Sequence, residues 1–149
     1  MKCLLFIAII FSTLSLKAQS TPKKQLNMNQ QDSTAITAIL NNYFRGLYEG
    51  DTTLLSSTFY PGTLLFGDVK GQPYFKTLPE YLTGVENRQS PKDSGKPFKG
   101  IITSIEIINS IAIAKVSVQM YEFNYSELLS FHKMDNKWVI VNKMISDIN

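Results

Sequence analysis

Any chemistry in this chain has to run through few residues. His132 is the one histidine and Cys3 the one cysteine. A Cys–His nucleophile pair is therefore not expected at a mature site, nor a zinc or copper centre, which draws on several such ligands. There is no glycine-rich phosphate loop and no G-x-S-x-G elbow. Glu127 is the carboxylate that stands out. It lies in Y-S-E-L-L-S-F, residues 125–131, where period-two alternation puts Glu127, Leu129 and Phe131 on one face of a strand. On a concave face beside Tyr125 and Trp138 it could act as a general base. Near a cavity mouth, hydrated or paired with a lysine or arginine, it would be structural. On the same alternation His132 points the other way, towards a surface or interface.

Aromatic residues are the larger clue. Tyrosine offers an apolar body with a hydrogen-bonding tip, suited to a flat or ring-shaped ligand. Tyr43, Tyr81 and Tyr125, with Asn142, are expected to line a pocket from the faces they should occupy; Phe44, Phe59 and Trp138 read as core filling, with Trp138 also a candidate for ligand contact.

The elements that must position these residues are legible in order. Ile36, Ile39, Leu40, Tyr43, Phe44, Leu47 and Tyr48 form one helical stripe, with Asp32 or Ser33 as N-cap and Gly50 as stop. Asp51 can cap a short second helix carrying Leu54, Leu55 and Phe59. Thr63–Phe66 reads as a strand, Gly67-Asp68 as a turn, and Gly71–Lys76 as a second strand. Thr77-Leu78-Pro79-Glu80 fits a capping box for a third helix reaching about Arg88. Residues 89–99 read as a mobile loop. From Gly100 the pattern is strand throughout: 101–108, a turn at Asn109-Ser110, then 111–123. A hairpin follows, Tyr125–Met134 and Lys137–Ile145 about an Asp135-Asn136 turn. In its second strand, alternation places Trp138, Ile140, Asn142 and Met144 together. Three helices followed by a four-strand meander indicate an α+β domain with helices on one face of a curved antiparallel sheet.

The 149 residues hold one domain. Met1-Lys2, the apolar run Leu4–Phe11 and the small residues before Gln19 have the layout of a secretory signal peptide over 1–18, cleaved after Ala18, with a periplasmic or extracellular destination. The run is too short to span a membrane. Cleavage removes Lys2, Lys17 and Cys3, leaving thirteen basic against twelve acidic residues, a net charge of +1, and no disulfide. No basic run suggests nucleic acid as a partner. Residues 19–31, polar and aperiodic, read as a flexible linker, and 32–149 as the domain.

Two motifs carry a resemblance. Tyr43-Phe44-Arg45-Gly46-Leu47-Tyr48-Glu49-Gly50-Asp51 resembles the first-helix signature Y-x-x-G-L-x-x-G-D of NTF2-like domains. Tyr125–Leu129 and Lys133–Lys143 resemble the closing hairpin of the SnoaL-like, "putative lumazine-binding" group of small secreted bacterial proteins. The group's pattern has Asp where this chain has Glu127, Gly where it has Asn136, and an apolar residue where it has His132. The resemblance implies a cone of strongly curved sheet around three N-terminal helices, open at one end and often paired as a homodimer through the sheet. It implies a pocket lined from the first helix, third helix and inner sheet. No cofactor is expected. The expected function is binding of a small, partly apolar molecule by Tyr43, Tyr81, Tyr125, Glu127, Trp138 and Asn142, without catalysis. The alternatives are a cofactor-free isomerase, cyclase or hydrolase of ketosteroid-isomerase type with Glu127 as base, and a dimeric interaction module.

Overall fold

A computed structural model describes residues 22–148. The order is α1 (Pro22–Glu49), α2 (Thr52–Ser57), β1 (Phe59–Val69), β2 (Gln72–Thr77), α3 (Leu78–Glu86), α4 (Pro91–Ser94), β3 (Phe98–Ile108), β4 (Ile111–Met120), β5 (Phe123–Met134) and β6 (Lys137–Asp147). The strands form one curved sheet in the order β2-β1-β6-β5-β4-β3. Neighbours are antiparallel except β1 and β6, which run parallel. The fold is the expected α+β cone, with a fourth, one-turn helix and one parallel pairing added.

The core lies between α1 and the concave side of the sheet. Ile36, Leu40, Tyr43 and Leu47 recur at helical spacing and are buried, against Ala114, Val116, Val118, Leu129, Phe131 and Ile140 from alternating positions on β4, β5 and β6. Each such aliphatic side chain contributes about 1.5–3 kcal/mol by leaving water. Gly100 on β3 is required by this packing, since a Cβ there would meet the Phe44 ring at 2.5 Å. Among the described residues no helix is long and apolar enough to cross a membrane.

Local signals mostly hold. The Asp51 carboxylate accepts from the Leu54 amide at 2.8 Å, capping α2. Thr77 and Glu80 form the expected capping box. Asp135 and Asn136 take φ of 48° and 62°, the paired left-handed conformation of a two-residue hairpin turn.

Five expectations are corrected. α1 begins at Pro22, so residues 22–31 are helix rather than linker. Nothing between Pro22 and Gly50 breaks a helix, and the polar residues there need no apolar stripe because Met28–Gln31 are exposed. Asp32 is consequently mid-helix and not an N-cap. Its Oδ1 accepts from Lys133 Nζ at 2.7 Å and Trp138 Nε1 at 2.9 Å, tying α1 to the β5–β6 hairpin. The β1–β2 turn falls at Lys70-Gly71 rather than Gly67-Asp68. Gly67 instead sits inside β1 at φ 147°, where a Cβ would lie 1.7 Å from the Ile145 carbonyl oxygen. Tyr121, at φ 58°, ends β4 short of Phe123, which opens β5. Residues 89–99, expected as a mobile loop, hold α4, capped by Ser90, and the start of β3, and the Tyr121 hydroxyl donates to the Gln89 carbonyl. The expected signal peptide, 1–18, lies outside the described residues.

Candidate functional site

Strand β5 turns Tyr125, Glu127, Leu129 and Phe131 to the concave side, as alternation requires. Strand β6 does not alternate throughout. Ser130 pairs with Asn142 while Phe131 pairs with Ile140, so Val141 is an extra residue, a β-bulge. Trp138 and Ile140 face inward before the bulge, and Lys143 after it. Lys143, paired with Leu129, therefore comes to the inner face diagonal to Glu127, whose own partner is Ile145.

Both side chains are almost fully enclosed, 3% and 2% exposed, and Lys143 Nζ lies 2.7 Å from Glu127 Oε1. α1 supplies the third member. The Tyr43 hydroxyl donates to Glu127 Oε2 at 2.7 Å and accepts from Lys143 Nζ at 2.6 Å. Two aromatic faces complete the surroundings of the ammonium, Tyr81 and Tyr43, with ring centroids at 5.1 and 5.2 Å. Burial, the largest single influence, would make Lys143 lose its proton more readily, but the Glu127 charge and hydrogen bond together with Tyr81 and Tyr74 outweigh it, and the amine is held protonated above the ordinary lysine range. Burial, then the Glu127 charge, pushes the Tyr43 hydroxyl well up, so it stays neutral and donates.

Above this floor is a concave cavity of about 120 Å³. Tyr74, Tyr81, Arg88 and Tyr125 form its polar walls, with Leu47, Val69, Val118, Met120 and Ile145 between them. Burial raises Tyr74 to about 12 and Tyr125 above the ordinary tyrosine range. Three polar atoms here are buried without a hydrogen-bond partner: Tyr81 Oη, Arg88 Nε and Arg88 Nη2. A larger hollow of about 520 Å³ lies on the outer side of the sheet, lined chiefly by Ile108, Ile111, Ile113 and Val141 with His132 at its edge. It is more open and mostly apolar, with Glu106 and Ser130 also in its lining, and lacks the lysine–glutamate–tyrosine cluster of the inner cavity. No group of three or more His, Cys, Asp or Glu that could hold a metal occurs among the described residues.

Of the residues expected at a pocket, the fold brings Tyr81, Tyr125 and Glu127 to the cavity. Tyr43 lies beneath it, reaching it through Glu127 and Lys143. Trp138 and Asn142 are elsewhere. Trp138 is buried beside Asp32. Asn142 donates to the Leu64 carbonyl at 3.0 Å, because the bulge gives the inward position to Lys143. Sequence reasoning missed Lys143, Arg88 and Tyr74. The available signal was a lysine inside V-I-V-N-K-M-I, a run too apolar for a solvated strand.

The family described as "Putative lumazine-binding" matches residues 31–146. An NTF-2 like protein of unknown function from Silicibacter pomeroyi DSS-3 superposes with a TM-score of 0.73 at 18% identity, over 80% of this chain and 98% of that one. An NTF2-like protein of unknown function from Methylobacillus flagellatus KT gives 0.72 at 26% identity, over 80% and 94%. In sequence, "Aldolase FrzH" of Cladobotryum sp is 26% identical over 123 residues, 81% of this chain and 94% of that protein.

Proposed function

We propose, for a chain that belongs to the "Putative lumazine-binding" family of NTF2-like domains, that the concave cavity binds a small, partly apolar molecule without turning it over. The observation that carries this is the closed Glu127–Tyr43–Lys143 network beneath tyrosine walls. A general base needs a lone pair aimed at substrate, and each Glu127 oxygen already holds one enclosed partner, Lys143 at Oε1 and Tyr43 at Oε2. Taking up a proton would also leave Lys143 buried without a counter-charge. The network is thus better suited to presenting a fixed polar floor than to accepting a proton. About four waters would fill the volume, at ~30 Å³ each, so one small ring or head group enters and the rest of a larger molecule extends through the mouth.

The aldolase-named relative favours a second reading, carbon–carbon bond chemistry on a carbonyl compound. Lys143, held protonated, would then polarise the carbonyl; as an amine nucleophile it would first have to pass its proton to a neighbour.

Export through the N-terminal segment and pairing of two copies through the sheet belong to the same proposal. Support for pairing comes from the outer face, where Ile108, Ile111 and Ile113 are 67%, 53% and 40% exposed.

Native mass spectrometry on gently purified protein tests the binding reading, alongside Met120→Trp, which places an indole into the cavity from a half-buried wall position. The expected result is an adduct of defined mass on the native chain and none on the variant. An adduct retained equally by both would place the ligand outside this cavity and end the reading.

A further inference from the structure

The cavity's donors are unevenly used. Glu127 is neutralised by Lys143 at the floor, whereas Arg88 brings a guanidinium to the wall with Nε and Nη2 both buried and unpartnered. Those two nitrogens form the side-on edge of the guanidinium, two parallel N–H groups spaced to grip the two oxygens of one carboxylate. Tyr81 presents a third donor to the same space. It is 7% exposed, and its hydroxyl is likewise buried without a partner. Buried donors are almost always paired in folded proteins, and here three that no group of the described residues satisfies converge on one hollow. The walls beside them, Tyr74, Tyr125 and Val118, suit an apolar ring.

Resting on the cavity reading above, we infer that the ligand is a small carboxylic acid, its carboxylate held side-on by Arg88 and capped by the Tyr81 hydroxyl, its apolar body against Tyr74 and Tyr125. A neutral molecule of the same shape would not match the charge of the two buried guanidinium donors. The floor adds no net charge, so it neither repels the anion nor replaces Arg88.

Benzoate and benzamide form a matched probe pair, alike in shape and different in charge. Binding is followed by heteronuclear NMR titration at millimolar concentration on the native chain, Arg88→Met and Arg88→Lys. The native chain is expected to bind benzoate at least about ten-fold more tightly than benzamide, the usual factor for a charge-assisted hydrogen bond. Arg88→Met should abolish that preference while leaving benzamide affinity unchanged. Arg88→Lys should restore part of it, keeping the charge and losing the fork. Without ligand, Arg88→Met should melt no lower than the native chain, because it removes two unsatisfied donors; a merely structural arginine would cause a loss. Equal binding of the two probes by the native chain, or a preference that survives Arg88→Met, overturns the carboxylate assignment and leaves the cavity reading standing. No binding of either probe removes both.

Discussion

Replacing Lys143 by methionine keeps the length of the buried stem and deletes its charge. Glu127 would remain 2% exposed, with the Tyr43 hydroxyl as its remaining partner. Breaking one side of a buried pair costs about 3–5 kcal/mol, most of it the penalty of an uncompensated charge. A domain of this length loses roughly 3–4 °C of melting temperature per kcal/mol, so the drop should be about 10–20 °C. Removing both charges in Glu127→Leu/Lys143→Met takes that penalty away. What remains is an unpaired Tyr43 hydroxyl, costing about 1–3 kcal/mol. The double variant should therefore be more stable than either single one, which gives a coupling of several kcal/mol between diagonal neighbours on β5 and β6. Urea denaturation of the four proteins at neutral pH measures it. A Lys143→Met loss below about 1 kcal/mol, or additive losses in the double variant, would refute the picture of a tightly enclosed pair.

Two further predictions concern the same scaffold. Tyr43, Tyr74 and Lys143 all hold their protons more tightly folded than unfolded, so their stabilising contribution is complete below the unfolded values of about 10 to 10.4 and is lost as pH rises through the raised folded ones. Stability should be flat to about pH 9 and then fall by up to about 1.4 kcal/mol per pH unit for each buried group, less for the partly exposed Tyr74; urea midpoints that do not move between about pH 9 and pH 11 would exclude this. Gly67→Ala places a Cβ 1.7 Å from the Ile145 carbonyl oxygen at a φ of 147°. It should cost more than about 4 kcal/mol by prising β1 from β6, and a melting temperature within a few degrees of the native chain's would show that the parallel pairing yields easily.

Much of this architecture could be read before any coordinates, and the limits have physical causes. Helix caps at Asp51 and Thr77, the Asp135-Asn136 turn and the inward face of β5 depend on residues a few positions apart, and local patterns carry them. Tyr81, Tyr125 and Glu127 were legible as pocket residues because they sit on regular elements. Lys143 was not, because a single extra residue in β6 reverses which neighbour faces the core, and no local pattern around Val141 announces it. Arg88 was overlooked because it reads as the last polar residue of the third helix, whereas α3 ends at Glu86 with Asn87 as its cap and Arg88 follows. The helical start of α1 escaped because residues 22–31 are polar in sequence and carry no apolar stripe at helical spacing.

The bulge also governs how strand β6 can vary. A strand of regular pleat tolerates substitution at every second position in one unbroken rhythm, but here the rhythm slips by one beat at Val141. Intolerance should fall on Trp138 and Ile140, then on Lys143 and Ile145, while tolerance passes from Val139 to Asn142 and Met144. The strand is two short phrases spoken in different phase. Matching this strand to one of unbroken pleat takes a one-position gap at that point, without which the lysine at the cavity floor is set against a neighbour that faces away.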